Sequence, residues 1–299
     1  MQKKLIASIW NKEVESGSKI LKSGNRWTDQ SYNPSYFATG VLRIFKQVDP
    51  SHDWLAVADA NLALAKKNQN TSTGLSSDWC DGNGGPKNVN GSGTDKFGYD
   101  AVRTPWRISM DYLWFGTKAA EEFITPLNTW IKKATNKLPY GVKAEYKLDG
   151  STTAQWTNPV YAGALIIPSM LDSLDNSWTM RGTKGWEQVA QGAPDNYFNN
   201  CWQIINSLTF AGGLQNFYGT VSSVGSRNGA KHLWEAHANN GYLTLTGTGA
   251  AQVDLVDPNG KVVAKSAGSN SITLHVPRSG LYFARINGET QQVILVMTP

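Results

Sequence analysis

The sequence predicts a mostly α-helical domain followed by a small all-β module, and two patterns carry this prediction. Up to about residue 218, apolar residues recur at helical spacing, as at Leu55, Ala58, Leu62 and Ala65. After about residue 222, apolar and polar residues alternate, as they do in 242–246. The chain has 299 residues, 40% of them hydrophobic, so it can bury the core of one large domain or of two ordinary ones.

The helical part is predicted to contain seven helices, at residues 2–15, 34–48, 52–69, 104–115, 118–135, 158–174 and 195–210. Two of them begin at an asparagine–proline pair, Asn33-Pro34 and Asn158-Pro159. Asparagine is a preferred helix cap and proline suits the first helical position. A glycine-rich loop runs from Thr71 to Gly98, and loops of that length within a domain are usually functional or mobile.

The C-terminal part is predicted to be a small β-sandwich over residues 221–299. Its alternating segments are 242–246, 253–256, 272–276, 281–286 and 292–296, with turn signals at 257–260 and 279–280. The segment has few carboxylates, and we assign no chemistry to it.

Composition excludes several functions and favours one class of ligand. The net charge is +5, but lysine and arginine are scattered, which does not indicate nucleic-acid binding. Cys80 and Cys201 are too few for a disulfide scaffold, no metal motif is present, and no cofactor is predicted. Twelve tryptophans and eleven tyrosines are typical of a carbohydrate cleft, although for any single tryptophan the core is the more common place.

Asp100 is the candidate catalytic carboxylate, because it stands beside Tyr99 between the glycine-rich loop and a helix. Backbone N–H groups at such a junction favour the charged form that accepts a proton. The alternative is that Asp100 caps the helix and that Arg103 and Arg107 are structural ion-pair partners. Asp111 is predicted to pair with Arg107, four residues before it.

Several segments in this order resemble one enzyme family. They are Asn33-Pro34-Ser35-Tyr36-Phe37, Thr73-Gly74-Leu75 with Asp78-Trp79-Cys80, Tyr99-Asp100-Ala101 with Arg103 and Trp106-Arg107, and Asp111-Tyr112 with Trp114-Phe115-Gly116. Together they resemble the second half of a glycoside hydrolase family 8 catalytic domain. The resemblance implies an incomplete (α/α)6 barrel over residues 1–220. It also implies hydrolysis of β-1,4-linked polysaccharides such as cellulose or β-glucan.

The same resemblance implies roles for individual residues. Asp100 would be the general base of an inverting hydrolysis, with Tyr99 and Arg103 as its neighbours. Tyr36, Trp79 and Trp106 complete the expected substrate-binding set; core packing is an equal alternative for Tyr36 and Trp79 and is favoured for Trp106. Asp78 is expected either to bind sugar hydroxyls or to cap the loop.

The sequence also departs from the family pattern. The family's general acid is a glutamate in a Ser-Glu-Gly-x-Gly-like motif, and a second aspartate lies in an Ala-Ser-Asp-Ala-Asp-like segment; neither occurs here. We therefore expect a C-terminal portion of a family 8 enzyme, from a truncated gene or a misplaced start, with impaired activity. The first ten residues predict a helix rather than a signal peptide, because the apolar run ends at Asn11 without a cleavage site.

The C-terminal module, from Asp254-Leu255-Val256 to the last strand, resembles sorting domains of the type IX secretion system. That resemblance implies a secreted or surface-attached parent protein and the secretion machinery as a partner. No apolar stretch of about 18 residues predicts a membrane span. Two other functions stay open, a non-catalytic glycan-binding protein and a polysaccharide lyase that uses Tyr99 as its base.

Overall fold

The helices occupy the first two thirds of the chain. The computed structural model describes residues 2–152, 154–171, 196–210, 214, 216, 221–222, 234–239, 241–257, 261–276, 280–287 and 289–296. The helices are α1 (Gln2–Glu13), α2 (Thr39–Val48), α3 (Trp54–Asn68), α4 (Arg103–Phe115), α5 (Lys118–Ala134), α6 (Pro159–Ile166) and α7 (Tyr197–Phe210). Each of the seven predicted helices thus has a counterpart.

Both asparagine–proline starts are confirmed, but two predicted helices are shorter than expected. Asn33 and Asn158 each accept a hydrogen bond from the backbone N–H two residues later. The predicted helix 34–48 is a 3-10 turn followed by α2, because the backbone leaves the helical region at Phe37, where ψ is 76°. The predicted helix 158–174 tightens into a 3-10 helix at 167–171, where Pro168 lacks the N–H of a further α-turn. Residues 172–174 and 195 lie outside the described residues.

Helix α4 is central to the helical part. It packs against α2, α5 and α6, while α2 packs against α3 and α6 against α7. Its buried residues Ile108 and Met110 join a core that also contains Phe37 and Phe123. The helix ends at Gly116, whose φ of 63° is a left-handed value that glycine adopts more readily than other residues do. Because α4 follows Asp100 almost directly, this packing fixes the position of the candidate carboxylate.

The long loop before Asp100 is packed against the helices. Residues 73–80 are all buried. Tyr32 and Cys80 exchange two backbone hydrogen bonds of 2.8 Å, which tie the loop to the segment before α2. At Gly74 φ is 75°, and an added Cβ would lie 2.4 Å from the backbone nitrogen of Leu127 in α5. The loop therefore holds Asp78 and Trp79 in defined positions.

The strands form two antiparallel sheets. In the loops, β1 (Lys96–Phe97) pairs with β2 (Tyr146–Lys147). The C-terminal strands are β3 (Val221–Ser222), β4 (Trp234–Asn239), β5 (Tyr242–Val256), β6 (Val262–His275), β7 (Gly280–Ile286) and β8 (Glu289–Val296). Their order is β3-β4-β5-β7-β8, and β6 also pairs with β5. The predicted turn residues 258–260 and 279 lie outside the described residues.

The two predicted strands 242–246 and 253–256 are one strand, β5, which corrects the prediction. Between the pairs Thr246–Ser271 and Ala250–Ser269, β5 advances by four residues and β6 by two. The bulge thus adds two residues, an even number, so alternation is kept and Leu245 and Val253 both remain buried. These residues belong to a core cluster formed within the sheet.

Candidate active site

Asp100 lies in the turn between β1 and α4, with its side chain 34% exposed. Trp79 donates a hydrogen bond from its indole Nε1 to Oδ2 of Asp100 over 3.1 Å. The guanidinium of Arg103 donates to Oδ1. Two donors thus fix the direction of the carboxylate, and its exposed edge can still accept a hydrogen bond from a water molecule.

The structure contradicts the alternative in which the Asp100 side chain caps helix α4. Helix α4 begins after Val102, and no side chain caps it. The backbone carbonyl of Asp100 accepts from the N–H of Arg103, while its carboxylate is turned to Trp79 and the arginine side chain. Asp78 instead accepts a backbone hydrogen bond, from Ala101 N–H over 2.7 Å. Asp78 therefore caps the loop, which is one of the two roles expected from the sequence.

Asp78 is buried beneath this turn, with only 6% of its surface exposed. Burial raises the pKa of the Asp78 carboxyl, and the charge of Asp100 raises it further. Gly98 makes room for it, because an added Cβ would lie 2.2 Å from Oδ2 of Asp78. Only glycine at position 98 therefore leaves room for the carboxyl group of Asp78 beneath the turn that carries Asp100.

Aromatic rings cluster around Trp79, which is hydrogen-bonded to the carboxylate of Asp100. Trp27 stacks on Trp79 with ring centres 5.3 Å apart, and Tyr36 meets Trp79 edge-on at 6.4 Å. The guanidinium carbon of Arg103 lies 5.4 Å from the ring centre of Tyr36. Trp79 is buried, whereas Tyr36 is 38% exposed and presents a ring to solvent. Exposed rings next to hydrogen-bonding groups suit the apolar faces and hydroxyls of a sugar.

Tyr99 lies on the other side of the turn. Its ring meets Tyr161 edge-on at 5.2 Å and Phe198 at 5.7 Å, and it is 46% exposed. Burial raises the pKa of the Tyr99 hydroxyl, and the charge of Glu145 adds to the effect. A raised pKa makes the hydroxyl harder to deprotonate, which disfavours Tyr99 as the base of a lyase.

Comparison with known proteins identifies the family. Residues 1–211 match the profile described as glycosyl hydrolases family 8. The chain belongs to this family. It is 31% identical over 218 residues to Endoglucanase C of Ruminiclostridium cellulolyticum, covering 72% of this chain and 46% of that protein. It is 30% identical to Endoglucanase A of Acetivibrio thermocellus, covering 71% and 44%. The chain thus spans less than half the length of these relatives.

Solved structures show that the fold of family 8 extends to this chain. The structure of a β-1,3-1,4-glucanase from Paenibacillus sp. X4 matches with a TM-score of 0.62 at 24% identity, over 69% of this chain and 57% of that one. A reducing-end-xylose releasing exo-oligoxylanase matches with a TM-score of 0.52 at 19% identity, over 69% and 57%. The matched region therefore shares the fold of the corresponding part of these structures.

Within this family 8 fold, Trp106 lies apart from the contacts that surround Asp100. Its indole Nε1 donates to Thr209 over 2.8 Å, and its ring meets Trp202 edge-on at 5.6 Å. Both partners belong to α7, so Trp106 links α4 to that helix. Its expected role in substrate binding stays a prediction, and the packing favours the alternative of a core residue.

The predicted pair of Asp111 with Arg107 is wrong. Asp111 is fully buried and binds Nε of Arg43, from α2, over 2.8 Å; it also accepts from Thr117. The guanidinium of Arg107 instead lies 5.8 Å from the ring centre of Trp106. Burial lowers the pKa of Arg107, and the charge of Arg103 lowers it further.

Trp27 is a residue of this site that the sequence analysis missed. It stands in the polar stretch Arg26-Trp27-Thr28-Asp29, outside any apolar periodicity. A large aromatic residue in such a stretch is a signal that could have marked it as a surface or ligand-facing side chain.

The part of the chain that the structure describes was compared with the requirements of a metal site and of a membrane-spanning helix. Across those residues, no group of three or more histidine, cysteine or acidic side chains is placed to hold a metal ion. The described helices include none that is long and apolar enough to cross a membrane.

Proposed function

We propose that this chain acts on β-1,4-glycosidic bonds of a polysaccharide such as cellulose or β-glucan, with Asp100 as the general base of an inverting hydrolysis. The observation that carries the proposal is the carboxylate of Asp100, held by Trp79 and Arg103 beside the exposed ring of Tyr36. Membership of family 8 and the similarity to proteins named endoglucanases support the reaction class.

The proposed reaction uses the open edge of that carboxylate. Asp100 accepts a proton from a water molecule as the water oxygen attacks the anomeric carbon and the bond to the leaving oxygen breaks. The leaving oxygen takes a proton from an acid that lies about 6.5–9.5 Å from the base in inverting enzymes. Asp78 does not suit the acid role, because it is buried and bonded to Ala101 N–H.

The sequence lacks the family's Ser-Glu-Gly-x-Gly-like motif, so we propose that the chain alone is an impaired hydrolase. Loss of a general acid costs roughly 10²–10⁴-fold in rate. The same lack favours a second function, a glycan-binding protein that keeps the aromatic cluster of Trp27, Tyr36 and Trp79 without turnover.

The domain organisation is part of the proposal. Residues 1–220 would be the C-terminal portion of a family 8 catalytic domain, an incomplete (α/α)6 barrel. Residues 221–299 would be a β-sandwich that serves secretion of the parent protein to the cell surface or beyond. The separate core of the C-terminal sheet, which includes Leu243 and Leu245, supports its being a distinct unit.

A reducing-sugar assay on carboxymethylcellulose, barley β-glucan, xylan and chitosan tests the activity. Asp100→Asn should abolish release of reducing ends, whereas Asp59→Asn, the same change on the exposed side of α3, should leave it unchanged. Proton NMR of the first products should show the inverted anomer. Activity that persists in Asp100→Asn would refute the proposed base, and binding without any turnover would favour the second function.

A further inference from the structure

Helix α7 carries apolar side chains on two opposite faces. Its inner face places Trp202 and Phe210 in the core that it shares with α6. Its outer face carries Tyr197, Ile204 and Leu208, whose exposed fractions are 85%, 61% and 43%. A helix that is apolar all round is usually buried on all sides. The outer face of α7 is therefore a surface that suits a partner.

The outer residues of α7 form a regular stripe. Tyr197, Cys201, Ile204 and Leu208 are separated by four, three and four positions, so they lie along one side of the helix. Cys201 is partly exposed. We call these four residues the α7 stripe. Their spacing is that of the a and d positions of a coiled coil, which pack against one other helix.

Charge favours a second copy of this chain as that partner. The 14 residues of α7 include no lysine, arginine, aspartate or glutamate. The whole chain has a net charge of +5, so two copies repel each other in general. Two copies that meet through α7 bring no like charges into contact on the two helices. The uncharged stripe also offers nothing that would select an oppositely charged partner.

The α7 stripe is also self-complementary, because its spacing is symmetric about a midpoint between positions 202 and 203. A two-fold axis through that midpoint, perpendicular to the helix, would place Tyr197 opposite Leu208 of the second copy. The same axis would place Cys201 opposite Ile204 of the second copy. A two-fold dimer requires this kind of match of a surface with itself. The antiparallel direction also sets opposite ends of the two helix dipoles side by side.

We propose that the α7 stripe binds the α7 stripe of a second copy of this chain as an antiparallel helix pair. Four side chains bury less than the roughly 800 Å² per partner of a standard interface, so the dimer should be a weak one. The pairing does not depend on the proposed hydrolysis, because α7 supplies neither of the two donors that hold the carboxylate of Asp100.

Sedimentation equilibrium of the full chain tests the pairing at protein concentrations from about 1 to 500 μM. The unmodified chain should pass from monomer to dimer in this range. Leu208→Glu should raise the dissociation constant roughly tenfold or more, because each copy then brings an unpaired carboxylate into the interface. Leu55→Glu is the matched control, because Leu55 is a leucine on helix α3 with a similar exposed fraction of 41%. Its dissociation constant should stay within about twofold of the unmodified chain.

Two results would overturn the proposal. A monomer at every concentration would leave the α7 stripe to helices of a different polypeptide. An equal loss of dimer in Leu55→Glu and Leu208→Glu would show that the copies meet through another surface or through general charge effects.

Disulfide trapping tests the antiparallel register. With diamide as the oxidant, Ile204→Cys should give a covalent dimer, because the introduced thiol would face Cys201 of the second copy. The unmodified chain should give none, because its two Cys201 residues would be offset by about 4.5 Å along the helix axis. Cys80 is buried and does not compete. No covalent dimer in Ile204→Cys, or a covalent dimer of the unmodified chain, would overturn the antiparallel pair.

Discussion

Trp27 and Trp79 stack on each other, but their indole N–H groups differ in hydrogen bonding. Trp79 donates its indole N–H to the carboxylate over 3.1 Å. The indole N–H of Trp27 is buried and has no partner in the part of the chain that the structure describes. The two rings lie 5.3 Å apart and are nearly parallel. One residue therefore orients the proposed base, and the other supports it through packing.

Trp79→Phe should lower the hydrolytic rate on β-glucan by roughly tenfold, because one charge-assisted hydrogen bond to Asp100 is lost. Trp27→Phe keeps an aromatic ring and loses no hydrogen bond among the described residues, so its rate should stay within about threefold of the unmodified chain. Initial rates of both variants measure this difference. Equal losses in the two variants would mean that stacking, and not the hydrogen bond, positions the base.

Asp78 gives the turn a pH-dependent stability. Burial raises its pKa above the ordinary value of 3.8, so the folded chain binds this proton more tightly than the unfolded chain. As pH rises from 3.8 through the raised pKa, Asp78 ionises and the free energy of unfolding falls. Asp78→Asn removes that cost and keeps an acceptor for Ala101 N–H. The free energy of unfolding of this variant, relative to the unmodified chain, should rise with pH over that interval.

Urea unfolding at a series of pH values measures the effect. Asp149→Asn supplies a control of opposite sign, because hydrogen bonds from Ser151 lower the pKa of Asp149. That carboxylate contributes stability above pH 3.8 which is lost as pH falls through its lowered pKa. A stability difference for Asp78→Asn that does not change with pH would contradict the account of the buried carboxyl.

At the scale of elements, one buried ion pair joins α2 to α4. Asp111 is fully buried, and Nε of Arg43 lies 2.8 Å from its Oδ1. Removal of one partner of a buried pair leaves an uncompensated charge and costs about 3–5 kcal/mol. Lys66 and Glu122 link α3 to α5 over 2.6 Å, but each side chain is nearly half exposed. An exposed pair contributes about 0–1 kcal/mol.

Arg43→Ala should therefore lower the free energy of unfolding by several times more than Lys66→Ala. Chemical denaturation of the two variants makes the comparison. The variants are matched because each replaces a long cationic side chain on a helix by alanine. Similar losses would show that Asp111 is satisfied without Arg43, through Thr117 or by taking up a proton.

The same elements show what local pattern can predict. Apolar spacing predicted the seven α-helices of the described residues, and the asparagine–proline pairs placed two starts, because these signals lie within a few residues of the feature. The partner of Asp111 was missed because it lies 68 residues away, on α2. Likewise Asp100 was predicted from its neighbours in sequence, whereas the stack of Trp27 on Trp79 joins residues 52 positions apart, and no local pattern indicates it.

At the scale of the whole molecule, buried side chains divide between the helices and the sheet. Leu243, Leu245 and Val253 pack with other residues of the C-terminal strands. Leu62 packs with residues of the helices. Val256, at the end of β5, joins the helical cluster, which makes it a point of contact between the two parts. The separate clusters are consistent with the proposed division of the chain into two domains.

If residues 1–220 and 221–299 are two domains, as we propose, they should unfold in separate steps, and core truncations should identify each step. Leu245 is fully buried in the sheet, and Leu62 is 2% exposed among the helices. Replacement of a buried leucine by alanine costs about 2–5 kcal/mol. In calorimetry, Leu245→Ala should lower only the transition of the sheet, and Leu62→Ala only that of the helical part. A single transition that both variants lower equally would show that the contact at Val256 joins the chain into one cooperative unit.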